Sequence, residues 1–278
     1  MNLFTIDPDK CKQDGLCAAD CPMGIIQFEG RGGYPVLAPG GEAVCLRCGH
    51  CVAVCPHGAL NHREVPLAEC PPIDPGLVIA RPQAEQFLRA RRSVRQFKNK
   101  AVERETLQRL IETARYAPTG SNTQLVEWRV IDDPQKLKAI SSQVIEWMRG
   151  ILKDPKIKTV PYLPLLVRSW EAGDDSILRS APCLVTAMTP AAARNGMVDL
   201  TLALAYLELA APLYGLGTCW AGLLQGALMN DPAVKQAVGI PQDYPFHYPM
   251  MIGYAKVHYH RLPQRRVPKI HWQAREKV

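Results

Sequence analysis

The sequence predicts two units of different build: a small cysteine-rich unit at the N-terminus, then a larger domain of mixed helices and strands in layers. Three observations support this. Seven of the ten cysteines fall in the first 55 residues. Between Arg63 and Gln86 the chain is proline-rich (VPLAECPPIDPGLVIARPQ) and has no sustained hydrophobic period, as expected of a tether or covering segment between domains. Beyond it, helical and extended patterns alternate without a GxGxxG loop, which favours a mixed layer fold over a dinucleotide-binding one. At 278 residues the chain exceeds one average domain, and 47% apolar residues suffice for a buried core. The expected boundaries are 1–64, a linker over 65–87, and 88–278.

Taken in order, the first 64 residues hold two repeats of about 34 residues, each with a CP-x-G segment (CPMGII, CPHGAL). GRGGYPVLAPGGE between them reads as turns around a short strand. In the second unit, Leu107, Leu110, Ile111 and Ala114 follow i, i+3, i+4, i+7 spacing, which predicts an amphipathic helix over Glu103–Tyr116. VEWRVI (126–131), CLVTAM (183–188) and PMMIGYA (249–255) read as strands. Leu200 to Leu224 is apolar enough to suggest a membrane span. Glu208, Pro212, Gly215 and Gly217 interrupt it, so a buried helix ending near Gly215 is expected, and no membrane partner.

The charge of +7 is unevenly placed. Residues 1–64 hold five Lys/Arg against seven Asp/Glu, leaving 28 against 19 for the rest. A basic half can serve nucleic acid. Here the arginines are not interleaved with stacking aromatics and no zinc-finger or recognition-helix pattern is present, so an anionic cofactor is the expected partner and nucleic acid is not. MNLFTIDPDK lacks the apolar region of a secretory leader. Clustered thiols in such a chain point to metal in a reducing, cytoplasmic compartment.

CLRCGHCVAVCP (45–56) matches the C-x2-C-x2-C-x3-C-P run that holds iron–sulfur clusters, in which three cysteines serve one cluster and the fourth reaches the other. The same residue types suit a zinc site built from C-x2-C pairs; the proline-terminated repeat favours iron–sulfur. CKQDGLCAADCP (11–22) aligns with it position for position, except that Asp14 stands where the second copy has Cys48. Residues 1–64 thus resemble the two-cluster bacterial ferredoxins. The resemblance implies one 4Fe-4S cluster on Cys45, Cys48, Cys51 and Cys21, and a second on Cys11, Cys17 and Cys55 with Asp14 at the fourth corner. Carboxylate is a harder ligand than thiolate. Either Asp14 ligates a labile iron, or that corner is empty and the cluster is of 3Fe-4S type; an unassembled, vestigial first motif is the remaining alternative. His50 and His57 beside the second motif are expected to be hydrogen-bond donors or surface groups.

In the second unit, ARRSVRQF (90–97) clusters three arginines around a serine, and forked, permanently charged guanidinium groups suit a phosphate. APTGSNTQ (117–124) sets Asn122 and Gln124 in a loop between a helix and a strand. The glycines of GLGTCWAG (215–222) would let backbone N–H groups approach a ligand. With APCLV, the DLTLALAYLELAAPLYGLGTCWAG segment, MMIGYAK and the RLPQRR tail, these stretches resemble the FMN-dependent nitroreductase family over residues 88–278. The resemblance implies an α+β sandwich, an obligate homodimer and one FMN per subunit. Arg91, Arg92, Ser93 and Arg95 would hold phosphate and ribityl chain, Asn122 and Gln124 would sit near the ring, Ala221 and Gly222 would meet its N5/O4 edge through backbone, and Arg265 or Arg266 would return to the phosphate. Residues capping the flavin's open face are expected between Ile140 and Ser180. Asp199 and Glu208 read as core or interface salt-bridge partners, and Cys183 and Cys219 as small hydrophobes.

The fusion implies a flavin oxidoreductase that needs no acid–base dyad. Electrons would pass from reduced ferredoxin, another low-potential donor or NAD(P)H through the clusters to FMN, and on to a nitroaromatic, quinone or similar electron-poor acceptor. The alternatives are reductive dehalogenation or flavin fragmentation on the same fold, an electron carrier or redox sensor without a substrate, and an iron–sulfur protein that binds nucleic acid.

Overall fold

The computed structural model of the chain describes residues 2–30, 32–154 and 161–273. The two cysteine repeats fold as two copies of one plan. In chain order they give β1 (Phe4–Ile6), α1 (Leu16–Ala19), β2 (Ile26–Phe28), β3 (Pro35–Leu37), α2 (Gly41–Val44), α3 (His50–Ala53) and β4 (Leu60–His62). β1 pairs antiparallel with β4 and β2 with β3. The repeat offset maps α1 onto α3 and β2 onto β4. It also maps the backbone: Gln13 and Arg47 have φ of 56° and 53°, and Gly15 and Gly49 have 78° and 73°. Two left-handed residues in each loop curl the chain around its thiols. The core beneath is small: Leu3, Phe4, Cys17, Ile25, Ile26, Val52 and Leu60.

The linker is more ordered than a tether. After two short 3-10 turns it forms α4 (Arg81–Ala90), which crosses the expected boundary at 87/88. Pro82 sits in its first turn, the Ala80 N–H donates to Gln83 Oε1 at 3.2 Å, and Arg81 pairs with Glu85. No residue of α4 is buried.

The rest of the second unit comprises α5 (Arg104–Ala114), β5 (Glu127–Ile131), α6 (Pro134–Lys153), α7 (Leu163–Glu171), β6 (Cys183–Thr189), α8 (Gly196–Ala210), β7 (Gly217–Trp220), α9 (Gly222–Leu228), α10 (Pro232–Val238) and β8 (Phe246–Gly253). Its antiparallel sheet has the order β5-β6-β8-β7. Along β6, Cys183, Val185 and Ala187 pack with α5 and α8, whereas Leu184 and Met188 pack with α6, α7, α9 and α10. The domain is therefore α–β–α in layers. β6 is buried along its whole length, so it reads as a continuous apolar run without alternation.

The expected helix over 103–116 and the three expected strands are present within a few residues. The long apolar stretch begins as α8 but leaves the α-helix at Ala210, tightens into a 3-10 turn to Tyr214 and stops at Gly215, φ 70°. Among the described residues Gly196–Tyr214 is the one segment long and apolar enough to cross a membrane, and half of the apolar window is buried inside the fold. GLGTCWAG departs from expectation. It contains an edge strand, β7, and its glycine serves packing: a Cβ on Gly217 would overlap the Val94 side chain, where the Val94 N–H donates to Thr218 O at 2.8 Å. α6 and α7 fall in the segment expected to cap the flavin; residues 155–160 of that segment lie outside the described residues.

Candidate functional site

The cysteine loops enclose two cavities. One is lined by Cys21, Cys45, Cys48 and Cys51, the other by Cys11, Asp14, Cys17 and Cys55. The fold thus brings Cys21 to the second motif and Cys55 to the first, the crosswise sharing that the ferredoxin resemblance implies. The thiols of the first set feel one another: burial, then Cys48, Cys45 and Cys21, push Cys51 up to about 11. Cys17 is likewise raised, chiefly by burial, with Asp14 and Cys11 adding to it. Iron would supply the positive charge that such crowded thiolates need. Among the described residues no three His, Cys, Asp or Glu close tightly enough to hold a single metal ion. Zinc would require that closeness, with Zn–S bonds of about 2.3 Å; the wider corners of an iron–sulfur cube do not. These residues fit clusters.

Asp14 lies on the wall of its cavity. Its Oδ1 accepts from the Leu16 N–H at 3.1 Å at the start of α1, and Oδ2 lies 3.8 Å from His57 Nε2. His50 and His57 are exposed. The histidine that matters geometrically is one that inspection of the motifs missed. His62, 2% exposed, places Nε2 3.6 Å from Cys45 Sγ, while its Nδ1 accepts from the Glu64 N–H at 3.1 Å.

The loop 117–124 meets the iron–sulfur unit directly. Asn122 Nδ2 donates to Leu46 O at 3.1 Å and Arg47 O at 3.0 Å, the carbonyls between Cys45 and Cys48. Its amide nitrogen is thus engaged by the neighbouring unit, while its Oδ1 makes no hydrogen bond among the described residues. Ser121, Asn122 and Gln124 hold φ of 53°, 54° and 51°, a local strain that anchors offset: Asp199, 3% exposed on α8, accepts from the Gly120 N–H at 2.9 Å, and Thr119 Oγ1 accepts from the Gln124 N–H at 3.0 Å. The Gln124 side chain makes no hydrogen bond among the described residues.

Arg91 and Arg92, but not Ser93 or Arg95, line a cleft of ≈ 250 Å³ together with Glu208, Gly217, Thr218 and Tyr259, among others. Arg91 Nη1 donates to the buried Glu208 Oε1 at 2.9 Å, and Glu208 Oε2 accepts from Trp220 Nε1 at 2.9 Å. Glu208 is therefore a salt-bridge partner, and Arg91 is already shared with a carboxylate. Arg92 and Arg95 have no ion-pair partner among the described residues. Burial raises Cys219 beside Ser93, with Arg95 and Arg179 acting the other way, and burial pushes Cys183 up to about 12, so neither thiol is activated. Both backbone groups of Ala221 are used: its N–H donates to Pro249 O and its carbonyl accepts from Gln225. Gly222, at the start of α9, has an N–H without an intrahelical acceptor, as do the other first N–H groups of the helix. Arg265 and Arg266 are exposed on the tail, and the chain does not bring them to the cleft; the nearby tail contact is Tyr259 Oη donating to Ser93 O at 3.4 Å.

Fold and site together define an iron–sulfur unit joined to an α+β oxidoreductase. Residues 88–254 match the model of the Nitroreductase family and residues 9–60 that of the 4Fe-4S dicluster domain; the chain belongs to the nitroreductase family. Over 67 residues it is 40% identical to the NADP-reducing hydrogenase subunit HndD of Solidesulfovibrio fructosivorans, of which it spans only 12%. Over 179 residues, 62% of this chain and 84% of the relative, it is 22% identical to a putative NADH dehydrogenase/NAD(P)H nitroreductase of Archaeoglobus fulgidus. A nitroreductase with bound FMN from Bacteroides fragilis shares the fold at TM-score 0.54 and 21% identity, over 67% of this chain and 95% of that one. Iodotyrosine deiodinase bound to FMN and 3-iodo-L-tyrosine does so at TM-score 0.53 and 19% identity, over 68% and 98%.

Proposed function

We propose that the chain is an FMN-dependent oxidoreductase fed through two iron–sulfur clusters: a low-potential donor such as reduced ferredoxin, or NAD(P)H, supplies electrons that reach the flavin and then a nitroaromatic, quinone or similar electron-poor acceptor. The observation that carries this reading is the Asn122 clasp, which seats the loop of one four-cysteine cavity against the flavin-side loop 117–124. When bound, the clusters carry single electrons, and FMN takes electrons singly or in pairs and passes them on. Cys21, Cys45, Cys48 and Cys51 hold one cluster; Cys11, Cys17 and Cys55, with Asp14 on the wall, hold the other. Arg92, Ser93 and Arg95 would hold the FMN phosphate with Arg91 as a shared member, Gln124 and the Gly222 N–H would serve the ring, and Ala221 would support Gly222. In the homodimer, Arg265 or Arg266 of the exposed tail would return to a phosphate.

The chain works as a homodimer. α8 buries one side against the sheet and leaves Val198 and Tyr206 exposed on another, the 3-10 turn after it leaves Leu213 exposed, and the tail leaves Val267, Ile270 and Trp272 exposed; a second copy would cover such surface. The crowded thiols suit a cytoplasmic, reducing compartment. Anaerobic purification followed by iron and flavin analysis, then an acceptor screen with each donor, tests the reading. About eight irons per chain, with FMN and acceptor-dependent turnover, are expected. Cluster-loaded, FMN-loaded protein that reduces no acceptor would instead mark an electron carrier.

A further inference from the structure

The two halves of the iron–sulfur unit are not equivalent around their first cysteine, and the difference lies in a residue outside the motif. The offset that maps Cys11 onto Cys45 maps Phe28, the last residue of β2, onto His62, the last residue of β4. Phe28 lines the cavity of Cys11, Asp14, Cys17 and Cys55; His62 lines that of Cys21, Cys45, Cys48 and Cys51. One cavity thus has an apolar ring where the other has a hydrogen-bond donor.

The donor's direction is set by its neighbours. The Glu64 N–H donates to His62 Nδ1 at 3.1 Å, so Nδ1 must offer a lone pair and the ring proton sits on Nε2. Nε2 lies 3.6 Å from Cys45 Sγ. His62 is 2% exposed, and away from water such a bond to an anionic sulfur is strong. Hydrogen bonds to ligand sulfurs help set cluster potentials, because they stabilise the extra negative charge of the reduced state. The same cavity is the one whose loop Asn122 grips.

We infer that His62 is a potential-setting residue: its Nε2–H bond to Cys45 raises the cluster of Cys21, Cys45, Cys48 and Cys51 above its pseudo-related partner, so that electrons collect on the side next to loop 117–124. The step moves one electron from the reduced Asp14-side cluster to the oxidised His62-side cluster, with no bond made or broken and no proton transferred. This rests on the two-cluster reading proposed above.

The test is a potentiometric titration of anaerobically purified full-length protein, with the cluster signals followed by electron paramagnetic resonance. In His62→Phe, one component should move to lower potential by about a tenfold change in its oxidised-to-reduced ratio at fixed poise, about 59 mV for a one-electron couple. The other component should stay in place. Phe28→His should do the reverse, raising the component that His62→Phe leaves alone. Both clusters present with both potentials unmoved would overturn the role of His62 while leaving the two-cluster reading intact. Wild-type protein holding four irons or fewer would sink that reading and the inference with it. Should His62→Phe lose its cluster on iron analysis, Phe28→His decides: a raised second component supports the inference, and an unmoved one ends it.

Discussion

The two units of this chain secure their sites by opposite means. In the first 64 residues the site residues are local in sequence, and the apolar core under them comprises seven buried side chains. So few cannot offset the chain entropy of a unit this size, and small units of this kind depend on covalent or metal staples. In the second unit a two-sided core surrounds the sheet, and the cleft is assembled from residues far apart in sequence, as the pairing of Arg91 with Glu208 shows. One unit is therefore held by what it binds, and the other binds because it is already held.

The largest test of that contrast is to remove the staple. Cys51→Ala, or iron chelation, should abolish the cluster's visible absorbance and unfold the first unit altogether. The five tryptophans all lie between Trp128 and Trp272, so their fluorescence reports only the second unit, and its melting should be unchanged. If the second unit melts along with the first, the two are one cooperative body and the contrast fails.

Leu204→Ala is the converse. Leu204 is fully buried on α8, and its truncation should cost the second unit about 3–4 kcal/mol in tryptophan-monitored denaturation, with cluster absorbance retained.

His247 gives the second unit an acid limb. On β8, at 2% exposure and with Nδ1 unpartnered, it is held down to about 4, chiefly by burial and then by Lys235. Between about 4 and 6.5 the unfolded chain binds a proton that the folded one refuses. Stability should therefore be full above about 6.5 and fall as the pH drops toward 4, by on the order of 2 kcal/mol. His247→Gln should flatten that limb in tryptophan-monitored melts, and an unaltered slope would show that other groups cause it.

The smallest effect is expected where the units touch. Asn122→Ala removes two hydrogen bonds to backbone carbonyls, about 1–2 kcal/mol at the contact. Neither unit's own melting should change, but ferredoxin-driven flavin reduction should slow while direct chemical reduction does not. Equal slowing of both would place Asn122 in the flavin site itself.

How much could be read beforehand follows the same divide. The cysteine motifs were legible because a cluster imposes fixed spacings on a short segment, and the helix over 104–114 was legible because its buried face repeats regularly. α6 carried a readable period too, with Leu137, Ile140, Val144, Ile145 and Met148 buried, but no motif drew attention to it. β7 was hidden because its glycine, Gly217, admits a neighbouring side chain just as well as it would admit a ligand. His62 could have been found by extending the repeat alignment past the cysteines to Phe28. The partners of Asn122 could not, since they are backbone carbonyls, which carry no mark in any sequence.

By itself the sequence determined the two-unit plan, the thiol inventory, the aspartate that stands in place of a cysteine and the arginine cluster, because each is a matter of residue type and near-neighbour spacing. Tertiary structure alone decided which cavity lies against loop 117–124, which arginine is already bound to a carboxylate, and which cysteine lies beside a histidine ring nitrogen. Those depend on groups brought within about 3–4 Å from segments far apart in the chain, and such distances are set by packing of the whole fold.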